Sequence, residues 1–128
     1  VLSNTLTDSF GWPIGCAPGS RGTGADIECF EEDFISIIEP SKDTSGAEQV
    51  RELYSILRHR ENIMAENNVE DTKVFFIAPK IHQDLERFTK HANMDLGINS
   101  VCHLETKDFV DNVASKGSLL EIYENIKF

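Results

Sequence analysis

At 128 residues the chain has room for one domain with a real core and not for two. Its 40% hydrophobic content is ordinary for a globular protein, no stretch approaches the roughly 20 apolar residues of a spanning helix, and the first residues lack a basic start followed by an apolar block, so a cytoplasmic, non-membrane protein is expected. The net charge of −10 argues against unaided binding to nucleic acid, which needs basic side chains to replace counterions on phosphate.

Residues 1–24 carry Gly11, Pro13, Gly15, Pro18, Gly19, Gly22 and Gly24, a density that predicts irregular backbone. Leu2, Leu6, Phe10 and Trp12 suggest a short helix or arm laid on the core, with Asp8 as a solvent-facing cap or turn residue. The run from Gly19 to Gly24 has no Gly-Lys-Ser/Thr after it, so it is no nucleotide-binding loop, and Arg21 within it is expected to be solvated, with contact to a phosphate as the alternative. Cys16, Cys29 and Cys102 are odd in number and form no CxxC pair, which predicts three buried or partly buried thiols rather than a zinc site or disulfide framework.

Two runs of β-formers follow, Ala25–Phe30 and Phe34–Glu39, joined by the acidic turn Glu31, Glu32 and Asp33. If Glu32 and Asp33 form the loop, Glu31 faces Phe34 and Asp26 lies directly across from Glu39, with Cβ atoms about 5 Å apart. Two carboxylates so close repel, and the usual remedies are a shared proton or a divalent cation; hard oxygen ligands favour magnesium or manganese over zinc. Glu28 shares that face under strict alternation but lies nearer the turn than the strand ends where sites collect. The plain alternative is a hairpin with polar ends.

A helix is expected from near Gly46, capped by Thr44 or Ser45, with Val50, Leu53, Tyr54, Leu57 and Met64 as its buried stripe. Beside that stripe Gln49, Glu52, Ile56 and His59 are separated by three, four and three positions, facing the end of the strand that carries Glu39. Glu52 thus makes a third carboxylate, thirteen positions after Glu39 as Glu39 is after Asp26. The competing reading of Glu52 is an exposed residue paired with an arginine three or four positions away. His59 reads more readily as structural than as a base. Beyond a polar break at 66–71, Lys73–Pro79 reads as a strand buried on both faces, Ile81–Ala92 as an amphipathic helix with Ile81, Leu85 and Phe88 inward, and Asn99–Leu104 as a further strand. Helices Lys107–Ala114 and Leu119–Asn125 close the chain, the second opened by a Ser118–Glu121 capping box. Strands alternating with helices predict an α/β fold whose mixed central sheet carries helices on both faces.

The order Asp26, Glu39-Pro40-Ser41, Gln49-x-x-Glu52 and Arg58-His59, with Val74-Phe75-Phe76-Ile77-Ala78-Pro79 downstream and Gly19-Ser20-Arg21 upstream, resembles the cleavage domain of AlwI-like type IIS restriction endonucleases, within the PD-(D/E)xK nuclease superfamily. Ala25 replaces the superfamily's proline, and Ser41 stands where its lysine is common, a substitution that fits the AlwI-like subgroup.

The resemblance implies a restriction-endonuclease-like fold and a single catalytic domain over residues 1–128, expected to belong to a longer chain or complex. It implies Mg2+, with Mn2+ as substitute, held by Asp26, Glu39, the carbonyl of Pro40 and Glu52, and Ser41 and Gln49 assisting the reaction, with Lys42 as a further candidate. Double-stranded DNA would be supplied by a tethered recognition domain or partner subunit, which accommodates the acidic charge. Cutting both strands would need two sites, hence a transient dimer or a heterologous partner. Against this stand a catalytically inactive module of the same fold acting in protein–protein interaction, and an unrelated α/β domain in which the carboxylate spacing is coincidence.

Overall fold

The computed structural model describes residues 15–18, 27–31, 34–42, 45–115 and 119–126. Five strands, β1 (Gly15–Pro18), β2 (Ile27–Glu31), β3 (Phe34–Pro40), β4 (Lys73–Ala78) and β5 (Val101–Glu105), form one sheet in sequence order. β1, β2 and β3 are antiparallel neighbours, and β3, β4 and β5 are parallel. This is the mixed sheet that the alternation of elements predicts.

The β2–β3 register runs from Glu31↔Phe34 to Ile27↔Ile38, the pairing a two-residue loop requires. Its next step, Asp26 opposite Glu39, lies outside the described residues. So do Asp8, Arg21, Thr44, Ser118 and the apolar residues Leu2, Leu6, Phe10 and Trp12.

Helices α1 (Gly46–Asn67) and α2 (Gln83–Leu96) connect the parallel strands. They share one sheet face, where Leu53, Ile56, Ile63 and Leu85 pack on Ile37, Val74, Phe76, Ala78 and Val101. α3 (Thr106–Ser115) and α4 (Leu119–Glu124) cover the other face, with Phe109, Val113, Leu119 and Ile122 on Cys29, Ile38, Phe75, Ile77 and Cys102. β4 therefore buries both its faces, and its residues from Val74 to Ala78 are all buried.

Four expectations need correction. Gly15–Pro18 is a strand and not irregular backbone, because pairing with β2 outweighs weak local propensity and Pro18 sits at the end of an edge strand, where its missing donor matters least. Cys29, whose backbone partner across β1 is Cys16, is disulfide-bonded rather than a free thiol. An odd cysteine count without a CxxC pair gives no hint of this bond. Cys102 is a buried free thiol as expected, and burial pushes its pKa up to about 12.

The buried face of α1 is Gly46, Gln49, Leu53, Ile56, Arg60 and Ile63; of the expected stripe Leu53 lies on it, Val50, Leu57 and Met64 are half-buried, and Tyr54 is 63% exposed, its ring edge-on to Phe88 at 4.8 Å. Counting hydrophobic residues misses this face because two of its members are polar. Finally, the second connecting helix begins two residues later than expected, at Gln83, with His82 as its N-cap, and runs on to Leu96 before Gly97 turns left-handed.

Candidate functional site

Glu39 lies near the carboxyl end of β3, the middle strand, where it pairs in register with Phe76 of β4 and is only 4% exposed. A carboxylate withdrawn this far from water needs a compensating partner. One is His59 on α1, whose Nδ1 lies 3.3 Å from Oε1 of Glu39; the imidazole is itself only one-fifth exposed. In its ionised form the carboxylate accepts from the Nδ1–H tautomer of the imidazole.

Gln49 is fully buried two turns and more before His59 on the same helix. Its Nε2 donates to the carbonyl of Lys80 at 2.7 Å, and its Oε1 accepts from the backbone N–H of His82 at 2.9 Å. The amide therefore braces the loop between β4 and α2. At the same junction Gly46 touches His82 so closely that a Cβ there would lie 2.6 Å from the ring Nδ1. That ring nitrogen accepts from the backbone N–H of Asp84 at 3.0 Å, capping α2.

Ser41 is half-buried, and its backbone N–H donates to Ile77 O at 2.7 Å, carrying the β3–β4 ladder past Pro40. Lys42 is exposed beside it. Glu52 is half-buried on α1, seven residues before His59 and so about 10 Å along the helix axis. The fold thus brings Glu39 to His59, sets Glu52 along the same helix, and turns Gln49 inward; Asp26 falls outside the described residues, and among those residues no three His, Cys, Asp or Glu side chains group as a metal site. His59 has more contact with the site than sequence reasoning allowed it. Its signal was the three-four-three spacing from Gln49.

A second polar cluster marks the amino end of β4. The buried Arg60 donates to Thr72 O at 2.9 Å and to Asp71 Oδ1 at 2.6 Å, while Lys73 Nζ reaches Asp71 Oδ2 at 2.6 Å and Ser100 Oγ donates to Asp71 Oδ1 at 2.7 Å. Partial burial raises the Asp71 pKa, but hydrogen bonds from Lys73, Ser100 and Arg60 outweigh it and hold the carboxyl at about 2. Lys73 also rests 4.6 Å over the Tyr123 ring. The one carboxylate of Asp71 bridges both cations, and the cluster ties α1 to the sheet opposite the strand ends where ligands collect.

A cavity of about 830 Å³ runs along β5 between α2 and α4, and its lining includes neither Glu39 nor His59. The buried carboxylate and this hollow are therefore separate features of the fold.

A search of curated proteins returned no match. A family model described as AlwI restriction endonuclease matches residues 3–103, about four-fifths of the chain, and spans β1 to the middle of β5 together with Glu39, Gln49, Glu52 and His59. The chain belongs to that family and is a restriction-type nuclease.

Proposed function

From membership of the AlwI restriction endonuclease family, we propose that this chain is the cleavage module of a magnesium-dependent endonuclease, hydrolysing phosphodiester bonds of double-stranded DNA presented by a separate recognition domain or subunit. The observation that carries this reading is Glu39: a nearly fully buried carboxylate near the carboxyl end of the middle strand, in contact with a histidine. Such an ion needs a set of hard oxygen donors. Glu39 and the carbonyl of Pro40 offer hard oxygens at the strand end, and Glu52 and Asp26 are the further carboxylates that would complete it.

When bound, a divalent cation supplies Lewis acidity to the scissile phosphate and lowers the pKa of water. The chain's own residues do the positioning. His59 fixes the rotamer of Glu39, so that the second oxygen has a set direction. Ser41, placed by the bond of its backbone N–H to Ile77, offers a hydroxyl where a lysine is common in the wider superfamily, and Lys42 next to it supplies a positive charge at the rim. The acidity of the chain, −10 overall, is why DNA must be brought by something else. Two such modules, as a transient dimer or with a heterologous partner, would cut both strands; one would nick.

The test is calorimetric titration with magnesium and manganese followed by a supercoiled-plasmid assay. Binding that Glu39→Ala abolishes, together with metal-dependent nicking, supports the reading. Binding without relaxation of plasmid by the chain joined to its recognition partner would leave a metal-stabilised scaffold, and no binding at all would leave the inactive interaction module.

A further inference from the structure

Among the described residues, β5 is an edge of the sheet. Val74 N–H donates to Ser100 O at 2.7 Å, and the register pairs Val74 with Val101 and Phe76 with His103. Along a strand, alternate residues direct both backbone groups to the same side. Ser100, Cys102 and Leu104 therefore face β4, while Val101 and His103 present N–H and C=O to the outer edge and Glu105 only its N–H, its C=O entering the first turn of α3. Val101 is already satisfied there: Asn93 of α2 accepts from its N–H and donates to its C=O, both at 3.0 Å. That is the pair of bonds a peptide unit of a neighbouring strand would make, delivered by a side chain that is 7% exposed.

One step along, His103 has the same orientation on the floor of the 830 Å³ cavity, between Thr89, Lys90 and Met94 on the α2 side and Ile122 and Ile126 at the other wall. Thr89 spends its hydroxyl proton on Glu86 O at 2.9 Å, so His103 Nδ1 must donate to Thr89 Oγ1 at 3.1 Å, which holds the imidazole against α2 and clear of the edge.

We propose that this groove binds an extended peptide segment of a partner protein, added to the sheet at His103 as a sixth strand with an apolar side chain against Ile122 and Ile126. The occupant is a slim single strand because the edge is recessed between two helical walls, so the equally recessed edge of a second copy cannot reach it. It is neutral, because Glu86 and Lys90 on the wall balance each other. Asn93 closes the pairing at one end and the start of α3 at Thr106 closes it at the other, which limits recognition to a few residues and places specificity in the apolar pocket.

The experiment titrates the isotopically labelled chain with the capped pentapeptide acetyl-Thr-Val-Thr-Val-Thr-amide and with an analogue N-methylated at its central residues. Saturable amide shifts at His103, Glu105 and the Asn93 side chain, at a Kd of roughly 1 mM or better, seen with the parent and weakened at least tenfold by N-methylation, support the proposal. His103→Pro, which removes the outward N–H at an edge position that tolerates proline, should also weaken binding about tenfold with the spectrum otherwise preserved. Absence of shifts at about 5 mM peptide overturns it, as do equal shifts with the N-methylated analogue, which would indicate a simple apolar pocket, or edge shifts that follow protein concentration alone, which would mean a second copy.

Discussion

His59 reaches Glu39 across the helix–sheet boundary, Nδ1 to Oε1 at 3.3 Å, and so joins two residues twenty positions apart in the chain. If the contact orients a metal-binding oxygen, His59→Ala raises the magnesium concentration needed for half-maximal plasmid nicking by about 10–100-fold, the usual cost of losing a residue that orients a ligand. His59→Asn, which keeps a shorter donor, should recover part of the loss. A magnesium titration of nicking rate for the three proteins checks this, and an equal drop at saturating metal for both variants would point to damage elsewhere.

Gln49 satisfies Lys80 O and the His82 N–H from a fully buried position. Gln49→Ala leaves both backbone groups without that partner and is expected to cost about 2–4 kcal/mol by urea denaturation. Gln49→Glu retains the acceptor for His82 but loses the donor to Lys80, so it too destabilises. A midpoint unchanged from wild type in both variants would show the brace to be dispensable.

Asp71 titrates at about 2, below its ordinary 3.8, because Lys73, Ser100 and Arg60 stabilise the carboxylate. A lowered acid contributes stability that is present above the unfolded-state value and lost as pH falls through the folded value. The stability of the wild type should therefore decline between about pH 4 and pH 2. Asp71→Asn should be less stable near neutrality and lack this part of the acid slope, as thermal melts across that window would show.

Gly46→Ala should destabilise the chain even though alanine favours helices. The added methyl would lie 2.6 Å from His82 Nδ1 and 2.7 Å from Asp84 Oδ2, both engaged at the cap of α2, and overpacking of this kind typically costs about 1–3 kcal/mol. A lowered melting temperature confirms it, whereas a rise would mean that His82 moves freely.

The hairpin register was legible in the sequence because a two-residue turn leaves one pairing open, and Glu31↔Phe34 follows from it. The apolar run Lys73–Ala78 likewise announced a strand covered on both sides. The buried face of α1 was legible at Leu53 and not beyond it, since Gln49 and Arg60 enter the interior only because Lys80, His82, Asp71 and Thr72 await them from distant segments. Bonding at Cys29 and the pairing of Asn93 with Val101 were hidden for the same reason. Of the site itself, Glu39 and its end-of-strand location could be read in advance, while the approach of His59 depends on how the helix is rolled against the sheet, which no local pattern specifies.

β3 has neighbours on both sides, an antiparallel one and a parallel one, so its peptide hydrogens are shielded twice over. Amide exchange at the positions leading to Glu39 should be among the slowest in the molecule, opening only when the whole sheet comes apart. An acid mounted there inherits that stillness, and adaptation to an incoming duplex must come from the surrounding helix and loops instead.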